Sequence, residues 1–285
     1  MMLRANAWTE WGNLRSVVVG HAYDACFPPT QPGFQPTINL EGGSGARFSG
    51  KLADLEESYG AGATIAEEIG WPLGPKRDSV VAAANAQLDN LASVLADRGV
   101  MVHRPDRVDW RRSINTPHFE VPNQYCTTCP RDVLATVGNI VLEASMSRRD
   151  RYFEVHAVRS LVRELWRTDE AMLWKAAPKP SMADEMYQPG WWKLSEDERY
   201  ARMHSYDFAI TNEEPIFDAA DIMRCGRDIF VQLCAAAPLS LSDRAPAAAM
   251  EPFMERNRRS HAARVQPLKI APRLAFATCL LRAAR

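Results

Sequence analysis

The sequence predicts an α/β fold built from a recurring strand–turn–strand–helix unit over residues 1–233, followed by a tail of another kind over 234–285. Three observations carry this. Short β-branched runs bounded by glycine alternate with helix-length amphipathic segments, as in layered α/β folds. Two apolar strand pairs around glycine turns recur, each with an acidic residue near its entry. Finally, all 15 glycines, eight tryptophans and seven tyrosines precede Cys234, whereas the last 52 residues hold 14 alanines and no glycine. Glycine supplies the positive-φ turn positions of compact folds at least cost, so its loss at one boundary marks a change of kind.

The elements follow in chain order. Leu14–Gly20 is a β-branched run that reads as a buried strand ended by glycine. Residues 38–75 are rich in Gly and Pro and read as a long irregular loop. A helix follows, capped by Asp78 or Ser79, with Val81, Leu88, Leu91 and Leu95 on one face and Gly99 at its C′ position. Val100-Met101-Val102 starts a strand that Pro105 stops. Asp132–Val137, Gly138-Asn139 and Ile140–Glu143 form a hairpin signal. Arg149–Arg167 reads as a helix, and Leu173-Trp174-Lys175 as a strand. The unit then recurs in Ile216–Met223, a Gly226-Arg227 turn and Asp228–Val231.

Charge divides at the same boundary. Of 34 Lys+Arg and 35 Asp+Glu, nine basic and three acidic residues fall from Cys234 onward, leaving 25 and 32 before it. The body is acidic and the tail basic. Arginines 256, 258, 259 and 264 suit an acidic partner, but only Phe253 and Phe276 lie near them, so base stacking has little support and no nucleic-acid partner is expected. No apolar run approaches the ~20 residues that span a bilayer. The start, Met1–Trp11, lacks the basic and apolar pattern of a secretory signal, so a cytoplasmic protein is expected.

Several constellations have plain readings. Gly45–Lys51 has phosphate-loop spacing up to the lysine, but Leu52 stands where the Ser or Thr belongs, and a loop is the favoured reading. Cys126-Thr127-Thr128-Cys129 is half of a zinc site and lacks a second Cys/His pair, so two loop cysteines without a role are favoured. Histidines 21, 103, 118, 156 and 204 are scattered. The carboxylates are better leads. Asp132 and Asp218 stand beside predicted strands, where an unpaired carboxylate is costly. Such groups either bind a cationic ligand, a planar guanidinium best of all, or pair with an internal arginine such as Arg131 or Arg227.

Several stretches together resemble the arginine:acceptor amidinotransferases. These are Thr9–Gly20, Ala25–Pro29, His103–Asp106 with Asp109-Trp110, Pro130-Arg131-Asp132, Val137-Gly138-Asn139 and Ala177–Glu185. The most specific is Phe217-Asp218-Ala219-Ala220-Asp221 followed by Gly226–Phe230. They lie in family order across residues 6–232, with departures at Gly12, Asn13 and His118.

The resemblance implies a pseudo-fivefold α/β propeller of ββαβ modules, C-terminally incomplete here. It implies transfer of an amidino group from L-arginine to a small amine acceptor through an amidino-cysteine, with a histidine moving protons and no metal or organic cofactor. Asp218 takes the family's catalytic aspartate position and Asp132 that of the donor-guanidinium aspartate. The acceptor stays open, with Cys26-Phe27-Pro28-Pro29 leaning toward the glycine type, and a homodimer is compatible with the resemblance. The family's histidine and cysteine lie beyond the matched part. His261 and Cys279 share only residue type with them, since neither has a glycine nearby. The expectation is therefore an inactive chain whose tail is disordered or translated out of frame. Alternatives are a non-enzymatic arginine-binding remnant, a misfolded fragment, or a guanidine-modifying hydrolase.

Overall fold

The computed structural model describes residues 4–29, 31–32, 64–66, 71–205, 207–211, 213–226, 228–232 and 264–268. Gly45–Lys51, Cys234, His261, Cys279 and most of the tail lie outside them. The chain forms two compact units with interleaved segments: Leu14–Pro130 with Arg148–Leu161, and Met1–Asn13 with Arg131–Ser147 and Val162–Arg285.

In the first of these units, β1 (Ser16–Val18) lies parallel to β4 (Met101–His103), with Val17 opposite Val102. The two β-branched runs are thus one βαβ layer, crossed over by α1 (Asp78–Asp97). Within the expected loop of 38–75, β2 (Thr64–Ala66) and β3 (Trp71–Leu73) pair antiparallel. A short pair, β5 (Ile114–Asn115) and β6 (Glu120–Val121), completes the strands among the described residues of this unit.

Helix α1 ends as its sequence dictates. Gly99 has φ 78°, and its N–H bonds the Ala96 carbonyl while Val100 N–H bonds that of Leu95, a Schellman closure. Its start differs from the expected cap. Arg77 is the N-cap with no side-chain bond, and Asp78 sits in the first turn, where its charge favours the helix dipole. The inward face also differs, because Leu91 is exposed while Asn85 is buried and accepts the Ala22 N–H at 2.7 Å.

The expected helix over Arg149–Arg167 divides. Two 3₁₀ turns, Arg149–Arg151 and Glu154–Val158, precede the α-helix Arg159–Thr168. The buried Arg151–Glu154 pair bridges the junction of the two turns, with Nε to Oε2 at 2.5 Å and Nη2 to Oε1 at 2.9 Å. Arg148 and Gln31 likewise both donate to Asp150, and Gln31 Oε1 accepts the Arg149 N–H at 2.7 Å.

The second unit repeats one sheet plan. It opens with a single-turn helix, α2 (Pro130–Val133), and then β7 (Leu134–Val137) pairs antiparallel with β8 (Ile140–Glu143) around Gly138, φ 58°. After α3 (Arg159–Thr168), β9 (Leu173–Ala176) returns parallel to β8. Ala5, Val141, Val162 and Met172 form the core there, with Leu134, Leu165 and Trp174 packed on it. Helix α4 (Glu196–His204) precedes the second sheet. In it β10 (Ile222–Cys225) pairs antiparallel with β11 (Asp228–Gln232), and β12 (Arg264–Leu268) lies parallel to β11. Both sheets are thus a hairpin plus one parallel strand; the hairpin is the recurrence expected from sequence, and the parallel strand β12, from the tail, was not expected. Of the segment 234–285, expected to lack fixed structure, β12 is the described part.

Two strand starts shift. Asp132 lies on α2 and not in the strand, which begins at Leu134, and Asp218 precedes a 3₁₀ turn, Ala219–Asp221, with the strand beginning at Ile222. The chain is therefore a mixed α/β protein. No helix among the described residues is long and apolar enough to cross a membrane.

Candidate functional site

Asp218 is held by the segment that follows β8. Ser145 Oγ accepts the Phe217 N–H at 3.0 Å, and the Met146 N–H donates to Phe217 O at 3.1 Å. Ser147 then donates both its N–H and its hydroxyl to Asp218 Oδ1, each at 3.2 Å. The aspartate is half-buried. Met146, fully buried, sits at φ 67°. A non-glycine residue in that region costs on the order of 1–3 kcal/mol and persists where the surroundings over-determine it, often at ligand clamps. Here the turn aims two donors of Ser147 at one carboxylate oxygen.

Asp132, also half-buried, is the third residue of α2, whose last carbonyl, that of Val133, accepts the Ala144 N–H at 3.0 Å. Arg131 beside it reaches across the unit. Its guanidinium donates to the carbonyls of Ala219 and Ile222, at either end of the turn that follows Asp218. One guanidinium thus ties the helix carrying Asp132 to the turn behind Asp218. The ion-pair partner of Arg131 is Glu10, with Nη2 to Oε1 at 3.4 Å. The internal-arginine alternative weighed from sequence has support at Arg131, where burial pulls the guanidinium down and the charge of Asp132, as well as that of Glu10, pushes it up; Arg227 lies outside the described residues.

Glu10 was not singled out by sequence reasoning. It accepts the Arg224 N–H at 3.1 Å, Nε at 2.8 Å and Nη2 at 2.6 Å, while Arg224 Nη1 reaches Thr136 O at 2.7 Å. Burial alone pushes the Glu10 carboxyl up, but the hydrogen bonds and charge of Arg224, with the charge of Arg131, outweigh it and hold it below its ordinary value. Burial pulls the Arg131 guanidinium down from its ordinary value, offset only in part by Glu10. The signal for Glu10 was its place in the quoted Thr9–Gly20 stretch, though nothing local named partners 121 and 214 residues away.

The other candidates fall elsewhere. Histidines 21, 103, 118 and 156 belong to the other compact unit, whereas His204 ends α4 in the aspartates' own unit. Among the described residues of the aspartates' unit the one cysteine is Cys225, on β10. Burial first, then the charges of Asp228 and Glu10, push its thiol up, the opposite of an activated nucleophile.

No family model matches the chain. The mitochondrial glycine amidinotransferase of Gallus gallus is 36% identical over 227 residues, which are 79% of this chain and 48% of that protein. The L-arginine:L-lysine amidinotransferase of Pseudomonas savastanoi pv. phaseolicola is 31% identical over 226 residues, 79% of this chain and 54% of that one. The chain spans about half the length of the curated relatives it matches. Among solved structures, SxtG, an amidinotransferase of the saxitoxin biosynthetic pathway of Microseira wollei, has a TM-score of 0.67 at 29% identity, covering 93% of this chain and 64% of that one. The inosamine-phosphate amidinotransferase StrB1 of Streptomyces griseus has a TM-score of 0.67 at 25% identity, covering 94% and 63%. Over the stretch it shares with these proteins, this chain is homologous to the amidinotransferases.

Proposed function

We propose that the chain carries the arginine-gripping part of an amidinotransferase and, as written, does not complete the transfer. Asp218 is the catalytic aspartate and Asp132 the carboxylate that holds the donor guanidinium. The observation that carries this reading is the fixed Asp218 carboxylate, with two Ser147 donors on one oxygen and the same unit also holding Asp132. A planar guanidinium is the ligand that paired carboxylates bind best. In the full reaction a cysteine thiolate attacks the guanidinium carbon, ornithine leaves, and the amine acceptor takes the amidino group from sulfur. That step needs an activated thiol and a proton-moving histidine; Cys225, the one described cysteine of the aspartates' unit, has its thiol pushed up and not down. The repeated hairpin-plus-parallel-strand sheet supports modules of an incomplete pseudo-fivefold propeller. Glycine is the favoured acceptor class.

Calorimetry with L-arginine tests the grip. Binding to the wild-type chain, weakened at least tenfold in Asp218→Asn and in Asp132→Asn, is the expected result; equal binding by both variants refutes the site. Incubation with arginine and glycine should give no ornithine. Ornithine would refute the inactivity, and citrulline would indicate a hydrolase.

A further inference from the structure

The Cys126-Thr127-Thr128-Cys129 motif is absorbed by neither the arginine site nor a metal site, and its geometry gives it a chemistry of its own. Cys126 is 3% exposed, packed with Ala22, Ala25, Val81, Ala84 and Tyr125. Cys129 is exposed. One hydroxyl sits between the two thiols: Thr128 Oγ1 is 3.1 Å from Cys126 Sγ and 3.7 Å from Cys129 Sγ. The sulfur separation therefore cannot exceed the sum of those distances.

The backbone that spaces the two cysteines is held on its other side. His21 N–H donates to Thr127 O at 3.2 Å, and a Cβ on Gly20 would stand 2.2 Å from that same oxygen. The chain bends at Thr128. A disulfide needs Cα atoms roughly 4.4–6.8 Å apart, and a bend between the two cysteines brings them toward each other.

We propose that Cys126 and Cys129 form a redox-modifiable dithiol, closed to an intramolecular disulfide by hydrogen peroxide. The exposed Cys129 sulfur attacks the peroxide, the O–O bond breaks, and water leaves a sulfenic acid on Cys129. The Cys126 sulfur then attacks the sulfenic sulfur. The S–S bond forms, and the hydroxyl departs as a second water with the Cys126 proton. The dithiol gives up two electrons and the peroxide takes them. Burial pushes the Cys126 thiol up to about 12, which keeps it from being the first to react. The disulfide straps the residues immediately before α2, the helix that carries Asp132.

Peptide mapping tests this on the intact protein. The tryptic peptide Ser113–Arg131 contains these two cysteines and no other. After mild peroxide treatment and alkylation in denaturant, it should appear unalkylated and two hydrogens lighter, and recover two alkyl groups after dithiothreitol. Cys26, fully buried, serves as the unoxidised internal control. In Cys126→Ser, Cys129 should instead pass on to sulfinic acid at the same dose. The proposal is overturned by a wild-type peptide carrying sulfinic Cys129 beside an alkylated Cys126, or by one in which both thiols stay alkylatable at a dose that oxidises other cysteines. The wild-type mapping stands whether or not Cys126→Ser folds.

Discussion

Glu10→Gln separates the contribution of charge from that of shape in the arginine knot of the second unit. Glutamine keeps the length and one acceptor oxygen but removes the negative charge facing Arg224 and Arg131. The Glu10 and Arg224 side chains are 30% and 15% exposed. The pair thus lies between an exposed ion pair, worth up to ~1 kcal/mol, and a buried one, whose disruption costs ~3–5 kcal/mol. Three contacts from one arginine at 2.6–3.1 Å place the loss near the middle, at about 2 kcal/mol. With a urea slope of ~2 kcal/mol/M, the unfolding midpoint should fall by about 1 M at neutral pH. The pH dependence has a fixed sign. The folded carboxyl titrates below its ordinary 4.5, so its stabilisation is present above that value and is lost as pH falls through the folded one. Urea melts of both proteins at pH 7 and about pH 3 should therefore show a gap that closes in acid. A gap below ~0.5 kcal/mol at pH 7, or one undiminished in acid, refutes the account of Glu10 as the charge that binds Arg224 and Arg131.

Two further outcomes follow from packing. Glu154→Gln removes the buried charge that pairs with Arg151, 7% exposed, at a cost of ~3–5 kcal/mol; differential scanning calorimetry should show a loss of roughly 10 °C. Gly20→Ala drives a Cβ against the backbone oxygens of Thr127 and Thr128, at 2.2 and 2.6 Å, so the loop must move. A destabilisation of ~1–3 kcal/mol and faster hydrogen exchange at the His21 amide are expected, and unchanged exchange would refute the close approach.

What was legible in the sequence was local. The Gly99 closure, the hairpin around Gly138 and the recurrence of that hairpin all follow from neighbours a few residues apart. The partition of Arg149–Arg167 into 3₁₀ turns was hidden, because the buried Arg151–Glu154 and Arg148–Asp150 pairs look like a solvated charge run until their burial is known. Asn85 was hidden for the same reason, as a polar residue whose partner is a backbone amide 63 residues away. Asp132 and Asp218 stood out as carboxylates beside predicted strands, and the motif resemblance then favoured ligand binding for them. Ser147, which orients Asp218, and Glu10, which pairs with Arg131, depend on contacts between residues that lie 71 and 121 positions apart, which no local pattern encodes.

Strand β12 also has a consequence for solubility. It pairs with β11 along its whole length, from Asp228 opposite Arg264 to Gln232 opposite Leu268. Whatever its reading-frame history, this part of the tail occupies backbone donors and acceptors that would otherwise form an open sheet edge able to recruit another chain. Pro267 within β12 lacks an N–H, as befits a strand that ends a sheet without inviting a further partner. A chain cut before Arg264 would expose β11 in its place, exchanging a self-terminated sheet for a template of aggregation.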